Sequence, residues 1–165
     1  MRADARTKRP EPVLLLFASS LKQFLELFGP PKWSLIEFHQ ASTHFPIGLL
    51  LAAALFDFGA LVSRKTMWRD VAFWVQMMGT LALLVTLAAG YFGNPFHGAN
   101  DEGQKATWHQ NFAFATTALF LLLAGWRLAR RTKIARLEAG IYALTTLLAV
   151  AVISITGWIG AHIGG

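Results

Sequence analysis

Along the chain, four stretches stay apolar long enough to matter, at residues 45–62, 71–92, 108–126 and 141–163, and polar connectors part them. Each approaches the roughly 20 residues that a helix needs to cross about 30 Å of hydrocarbon. Lipid offers no partner to an unpaired backbone group, and these runs are too long and too continuous for barrel strands, so the pattern predicts four transmembrane helices. A further apolar stretch, 13–29, carries Lys22, Gln23 and Glu26 before Gly29, Pro30 and Pro31 end it. Its spacing of Leu15, Phe17, Leu21, Phe24, Leu25, Leu27 and Phe28 suits an amphipathic helix in the membrane interface. The alternative is a short fifth span, which would bury Lys22 at a high cost. The fold expected is therefore an all-α integral membrane protein. It is a bundle of four transmembrane helices in two hairpins, residues 38–165, preceded by a basic segment and interfacial helix at 1–37. A cleaved signal peptide is not expected, because the apolar core before Ser19 and Ser20 is short.

Composition strengthens this reading. In 165 residues, 55% are hydrophobic and 15% charged, too apolar for a soluble domain of this length. The net charge of +6 falls in clusters rather than along one stripe, which argues against nucleic acid as a partner. Connectors 63–70 and 127–136 hold Arg64, Lys65, Arg69, Arg127, Arg130, Arg131, Lys133 and Arg136, whereas 93–107 sets Lys105 against Asp101 and Glu102. Basic loops stay in the cytoplasm. The expected location is the bacterial cytoplasmic (inner) membrane, multi-pass, with the 93–107 connector and the C-terminus periplasmic. With no cysteine, disulfides, thiolate metal sites and covalently attached c-type haem are excluded.

Polar residues at the helix ends supply the candidate chemistry. His39, His44, His97, His109 and His162 are all the histidines present, and an even number of crossings puts every one on the non-cytoplasmic side. The two halves also repeat. One reads His44, helix, Arg64-Lys65, helix, Gly90 to Gly93; the other reads His109, helix, Arg127 to Arg131, helix, Gly157 to Gly160. Such a repeat is parallel, related by an axis along the membrane normal.

Imidazoles gathered at the mouth of a bundle suit a b-type haem, with copper, zinc or no cofactor as alternatives. His44 and His109, placed at helix N-termini whose dipole disfavours imidazolium, are the expected haem-iron ligands. His162, at a helix C-terminus, suits a hydrogen bond to a haem carboxylate or a quinone oxygen, and His39 joins the same group. Gly157 and Gly160 clear a helical face for a planar cofactor or for a neighbouring helix. The structural reading of the same residues is also open: interfacial histidines bonded to backbone, and glycines that only permit close packing. Asp57 is the one carboxylate well inside a span. A packing role is expected for it, through Tyr142, Thr145, Thr146 or Arg69, rather than proton transfer, and Gln76 reads as interhelical glue.

No Walker loop, Gly-x-Ser-x-Gly or His-Glu-x-x-His occurs, so a stand-alone enzyme is disfavoured. The expectation is an electron-transfer subunit that binds haem b and can meet quinol, whose partners are the lipid bilayer and other membrane subunits. The alternative is a non-catalytic accessory subunit of a larger redox or photosynthetic complex, its histidines structural.

The run Ser42-Thr43-His44-Phe45-Pro46-Ile47-Gly48, followed by Asp57, resembles the start of a family of bacterial four-helix membrane proteins, DUF 2231. That start usually reads His-Pro-x-x-Val-His-Phe-Pro-Ile, which falls on His39 and His44, with Gln40 here in place of proline. A histidine like His109 opens the family's third helix, and Gly157-Trp158-Ile159-Gly160-Ala161 is similar to the end of its fourth. The resemblance covers about residues 38–163 and lacks the Tyr-x-His-Gly segment that follows in many relatives. It implies the four-helix fold, the choice of histidines and a membrane redox role.

Overall fold

The computed structural model describes residues 15–22, 34–95, 100–130 and 136–163. His97, the tip of the second connector, residues 131–135 and most of the 13–29 stretch, including Glu26 and Gly29 to Pro31, lie outside the described residues. The chain divides into two units, Met1–Lys32 and Trp33–Gly165. In the first, residues 15–22 form a helix, α1, with Leu15, Leu16, Phe17 and Leu21 exposed. Its eight described residues fall short of a span.

Every regular element described in the second unit is also helical: α2 (Leu35–Ser42), α3 (His44–Ser63), α4 (Thr66–Gly93), α5 (Asp101–Ala129) and α6 (Arg136–Gly160). Among the described residues four segments are long and apolar enough to cross a membrane: Leu35–Ser63, Thr66–Gly93, Asp101–Ala129 and Glu138–Gly160. The protein is an all-α membrane protein with four candidate spans.

The first span begins earlier than its hydropathy indicates. Ser34 and Glu37 form a capping box, the serine hydroxyl accepting from the Glu37 N–H and the Glu37 carboxylate accepting from the Ser34 N–H. Two of the orphan donors of a helix start are satisfied this way. α2 then passes into α3 through Thr43, whose backbone is itself right-handed helical. Pro46, lacking an N–H, cannot donate to the Ser42 carbonyl four residues back, which accounts for the break between the two helices. Both hydroxyls at the break turn back on the preceding turn, Ser42 Oγ to the His39 carbonyl and Thr43 Oγ1 to the Gln40 carbonyl.

α3 and α4 form one hairpin, joined by Arg64 and Lys65, and α5 and α6 form the other. Arg64 has φ 56°, a left-handed conformation that ends α3 with its N–H on the Ala60 carbonyl. Leu50, Leu83, Phe120, Leu123, Tyr142, Ala149 and Ile153 make up the buried core. Gly79 brings α4 hard against α3, since a Cβ there would stand 2.8 Å from Leu50 Cδ2. The outside carries Leu55, Phe58, Trp74, Leu81, Leu122 and Leu144, all exposed, as a surface solvated by lipid requires.

The burial pattern of the halves matches at a separation of seventy residues. Pro46 and Thr116, Leu50 and Phe120, Ala72 and Tyr142, Gly79 and Ala149, and Leu83 and Ile153 are buried at matching positions. The repeat in the sequence is therefore present, with one change. This register pairs His109 with His39 rather than with His44, and Gly160 with Gly90.

Candidate functional site

At the open end of the bundle, opposite the Arg64-Lys65 turn, His39 from α2 and His109 from α5 come together. Their ring centroids are 6.1 Å apart and their planes stand at 80°. Each ring is held identically. His39 Nδ1 lies 2.8 Å from the Thr86 carbonyl of α4, and His109 Nδ1 lies 3.0 Å from the Thr156 carbonyl of α6, the same forty-seven residues further along. A carbonyl oxygen can only accept, so Nδ1 is the protonated nitrogen of both rings. In the neutral ring Nε2 is then a bare lone pair. Metal-binding imidazoles are oriented in this way, the distal N–H tied to a carbonyl.

Glycines make room for both rings. A Cβ on Gly90 would stand 2.6 Å from Cε1 and Nδ1 of His39, and one on Gly160 would stand 2.7 Å from Cε1 of His109. No side chain larger than hydrogen fits either place. Gly157 is different, for a Cβ there would meet only Ile47 Cδ1 at 3.6 Å. Thr86 and Thr156, whose carbonyls hold the rings, are buried, and their hydroxyls bond Ser42 Oγ and Thr116 Oγ1. Each imidazole thus sits in a cradle made by the second helix of its own half.

The pair opens on a cavity of about 510 Å³, inside the roughly 300–1,000 Å³ range of small-molecule sites. Its walls are mainly apolar, with Ile36, Pro46, Ile47, Leu83 and Ile153, and its polar groups include Gln40, His44, Asn94 and Gln110.

Of the residues singled out in the sequence, His39, His44, His109, Gly157 and Gly160 line this cavity. His162 is exposed; its Nδ1 bonds the Trp158 carbonyl at 2.7 Å and its ring lies 4.7 Å from the Trp158 ring. His44 is, as expected, the first residue of α3, behind the break at Thr43. The dipole argument fails for His109 alone: α5 starts at Asp101, eight residues ahead of it, with Asn100 capping the Gly103 N–H. The dipole fades within about one turn, so the His109 ring does not feel it. What holds His109 neutral-side out is the Thr156 carbonyl.

Asp57 finds a partner other than those expected. Its carboxylate is bonded by Arg127, a residue that reads in the sequence as part of a cytoplasmic loop but is only 7% exposed. Arg127 also stacks over the Tyr142 ring, 5.2 Å from its centroid, and the Tyr142 hydroxyl donates to Gln76 Oε1 at 2.8 Å. Gln76 is thus the interhelical glue the sequence indicates. Positions 57 and 127 are again seventy apart. Equivalent residues that touch lie on the axis relating the halves, so this axis runs between His39 and His109 at one end and between Asp57 and Arg127 at the other.

Four long apolar helices around an axial imidazole pair define a helical membrane protein with a ligand-sized site at one mouth. The chain belongs to the DUF2231 family, described as a predicted membrane protein, whose profile matches residues 36–164. No curated protein and no solved structure matches the chain.

Proposed function

We propose that the protein is a b-type haem-binding electron-transfer subunit of the bacterial cytoplasmic membrane, the iron held between His39 and His109 at the periplasmic mouth. One observation carries the reading: two imidazoles, each fixed by Nδ1–H on a carbonyl so that Nε2 is the unprotonated nitrogen, stand 6.1 Å apart across the axis of the repeat. Two rings on opposite sides of one metal ion would have centroids about 6 Å apart, from metal–nitrogen bonds of about 2 Å and about 1 Å more to each ring centre, and closer together on a tetrahedral ion. The 6.1 Å separation is compatible with the first arrangement. The donor set favours haem over zinc or copper, since among the described residues no cluster of three or more His, Cys, Asp or Glu could hold a bare ion. A porphyrin would bring most of the iron's donors itself and ask of the chain only His39 and His109.

When bound, haem supplies a one-electron iron couple. The chain's part is to fix both rings, exclude water with Ile47, Leu83 and Ile153, and keep the site at the mouth, within reach of a quinol or a redox partner. The basic Arg64-Lys65 turn lies at the other end and supports a periplasmic mouth. Visible spectra of the purified protein, oxidised and dithionite-reduced, test the reading: sharp low-spin bands are expected, lost on His39→Ala or His109→Ala and kept on His162→Ala.

A second reading draws on the same hydrogen bonds, which also tie α2 to α4 and α5 to α6. On it the histidines are structural and the chain is an accessory subunit of a larger membrane complex. A spectrum without haem, together with a metal analysis that finds nothing, would establish this reading in place of the first.

A further inference from the structure

Gln40 and Gln110 are the residues that follow the two paired histidines, seventy apart like them, so that Phe38-His39-Gln40 in one half answers Trp108-His109-Gln110 in the other. Both glutamines line the cavity, Gln40 exposed and Gln110 half-buried, which puts them at its rim. Their helices enter from the mouth, and helical side chains lean toward the helix N-terminus, so both amides reach back toward the opening. Among the described residues neither amide is engaged by another side chain.

We propose that Gln40 and Gln110 form a matched pair of donors that receive the two carboxylates on one edge of the ligand and turn that edge to the mouth. The proposal rests on the haem reading above. Haem b carries two propionates on a single edge, one on either side of a line through the iron. Two equivalent amides, on either side of an axis that passes between the axial rings, present donors in the same arrangement. An amide NH2 donates two hydrogen bonds without adding charge, which suits a carboxylate partly open to water. His44, also on the cavity wall, is the competing recipient.

The probe is haem b compared with its dimethyl ester, in which both propionates are masked, titrated into the full-length apoprotein and read by the low-spin spectrum. Wild type should bind the ester about tenfold or more weakly, the scale of losing hydrogen bonds to charged groups. The double variant Gln40→Leu/Gln110→Leu should bind haem more weakly and no longer distinguish it from the ester. Gln40→Glu/Gln110→Glu, close in shape, should reverse the preference in favour of the ester. Equal binding of the two forms by wild type, full discrimination in the leucine variant, or loss of discrimination in His44→Ala instead would overturn the proposal while leaving the haem reading intact. Failure of wild type to bind either form would overturn the haem reading, and the proposal with it.

Discussion

The two ends of the axis were built from the same positions in each half, and they have been resolved in opposite ways. At the mouth the repeat keeps histidine against histidine, His39 and His109, each tied to its own half. At the basic end position 57 is aspartate and position 127 arginine, and they bond one another directly. Two bare imidazole nitrogens are both acceptors and have nothing to give each other. On the proposed reading a third body lies between them. A carboxylate and a guanidinium complete each other and leave no place for one. Sameness across the axis marks a site, and complementarity marks a clasp.

Breaking the clasp should cost most. Asp57→Ala or Arg127→Ala strands a buried charge and should destabilise the bundle by about 3–5 kcal/mol, whereas Asp57→Leu/Arg127→Leu together should come close to wild type. Thermal unfolding in detergent measures both, and single variants as stable as the double one would mean that the pair is not buried in the membrane. At the mouth, His39→Ala and His109→Ala should each forfeit only about 1 kcal/mol of folding stability and, on the proposed haem reading, abolish the low-spin spectrum equally. On the same reading the 80° between the rings predicts an electron paramagnetic resonance signal dominated by one feature at high g, and the three-feature rhombic signal of parallel imidazoles would count against it.

Smaller effects sharpen the contrast. Gly90→Ala and Gly160→Ala push a ring off its carbonyl and should cost about 1–3 kcal/mol, and on the haem reading shift the spectrum. Gly157→Ala, with 3.6 Å of room, should do neither. Arg64→Gly relieves the one left-handed residue other than glycine among those described and should stabilise by about 1 kcal/mol, read as a small rise in Tm.

Hydropathy located all four spans because lipid selects for length and apolarity, which are properties of single segments. It was weakest where polar residues lie on a helix. His39, Gln40, Ser42 and Thr43 lower the apolarity ahead of residue 45, so the first span seemed to begin there, although Ser34 and Glu37 at capping-box spacing mark its true start. For the same reason Arg127 reads with the loop charges, although it sits inside α5 with its guanidinium on Asp57. The repeat was legible, but matching His44 with His109 set its register five residues off. The paired His-Gln dipeptides at 39–40 and 109–110 fix it. Which polar groups meet is a property of two helices at once, and no window along one of them contains it.

The seventy-residue register also carries a history. If one hairpin was doubled, its two copies began with the same residue at the position now held by Asp57 and Arg127, and two copies of that hairpin could have assembled with each other as equals. Once one copy held the acid and the other the base, that freedom was gone: either half meeting its own kind would bury like charges in the membrane, so each depends on the other. Fragments 34–95 and 100–163 made as separate chains should therefore associate when co-expressed and should not self-associate when expressed singly, whereas a half that dimerises alone would show that the charges were never what joined them. The two halves are in this sense no longer copies but complements, and the chain that links them only makes permanent a pairing that the charges already dictate.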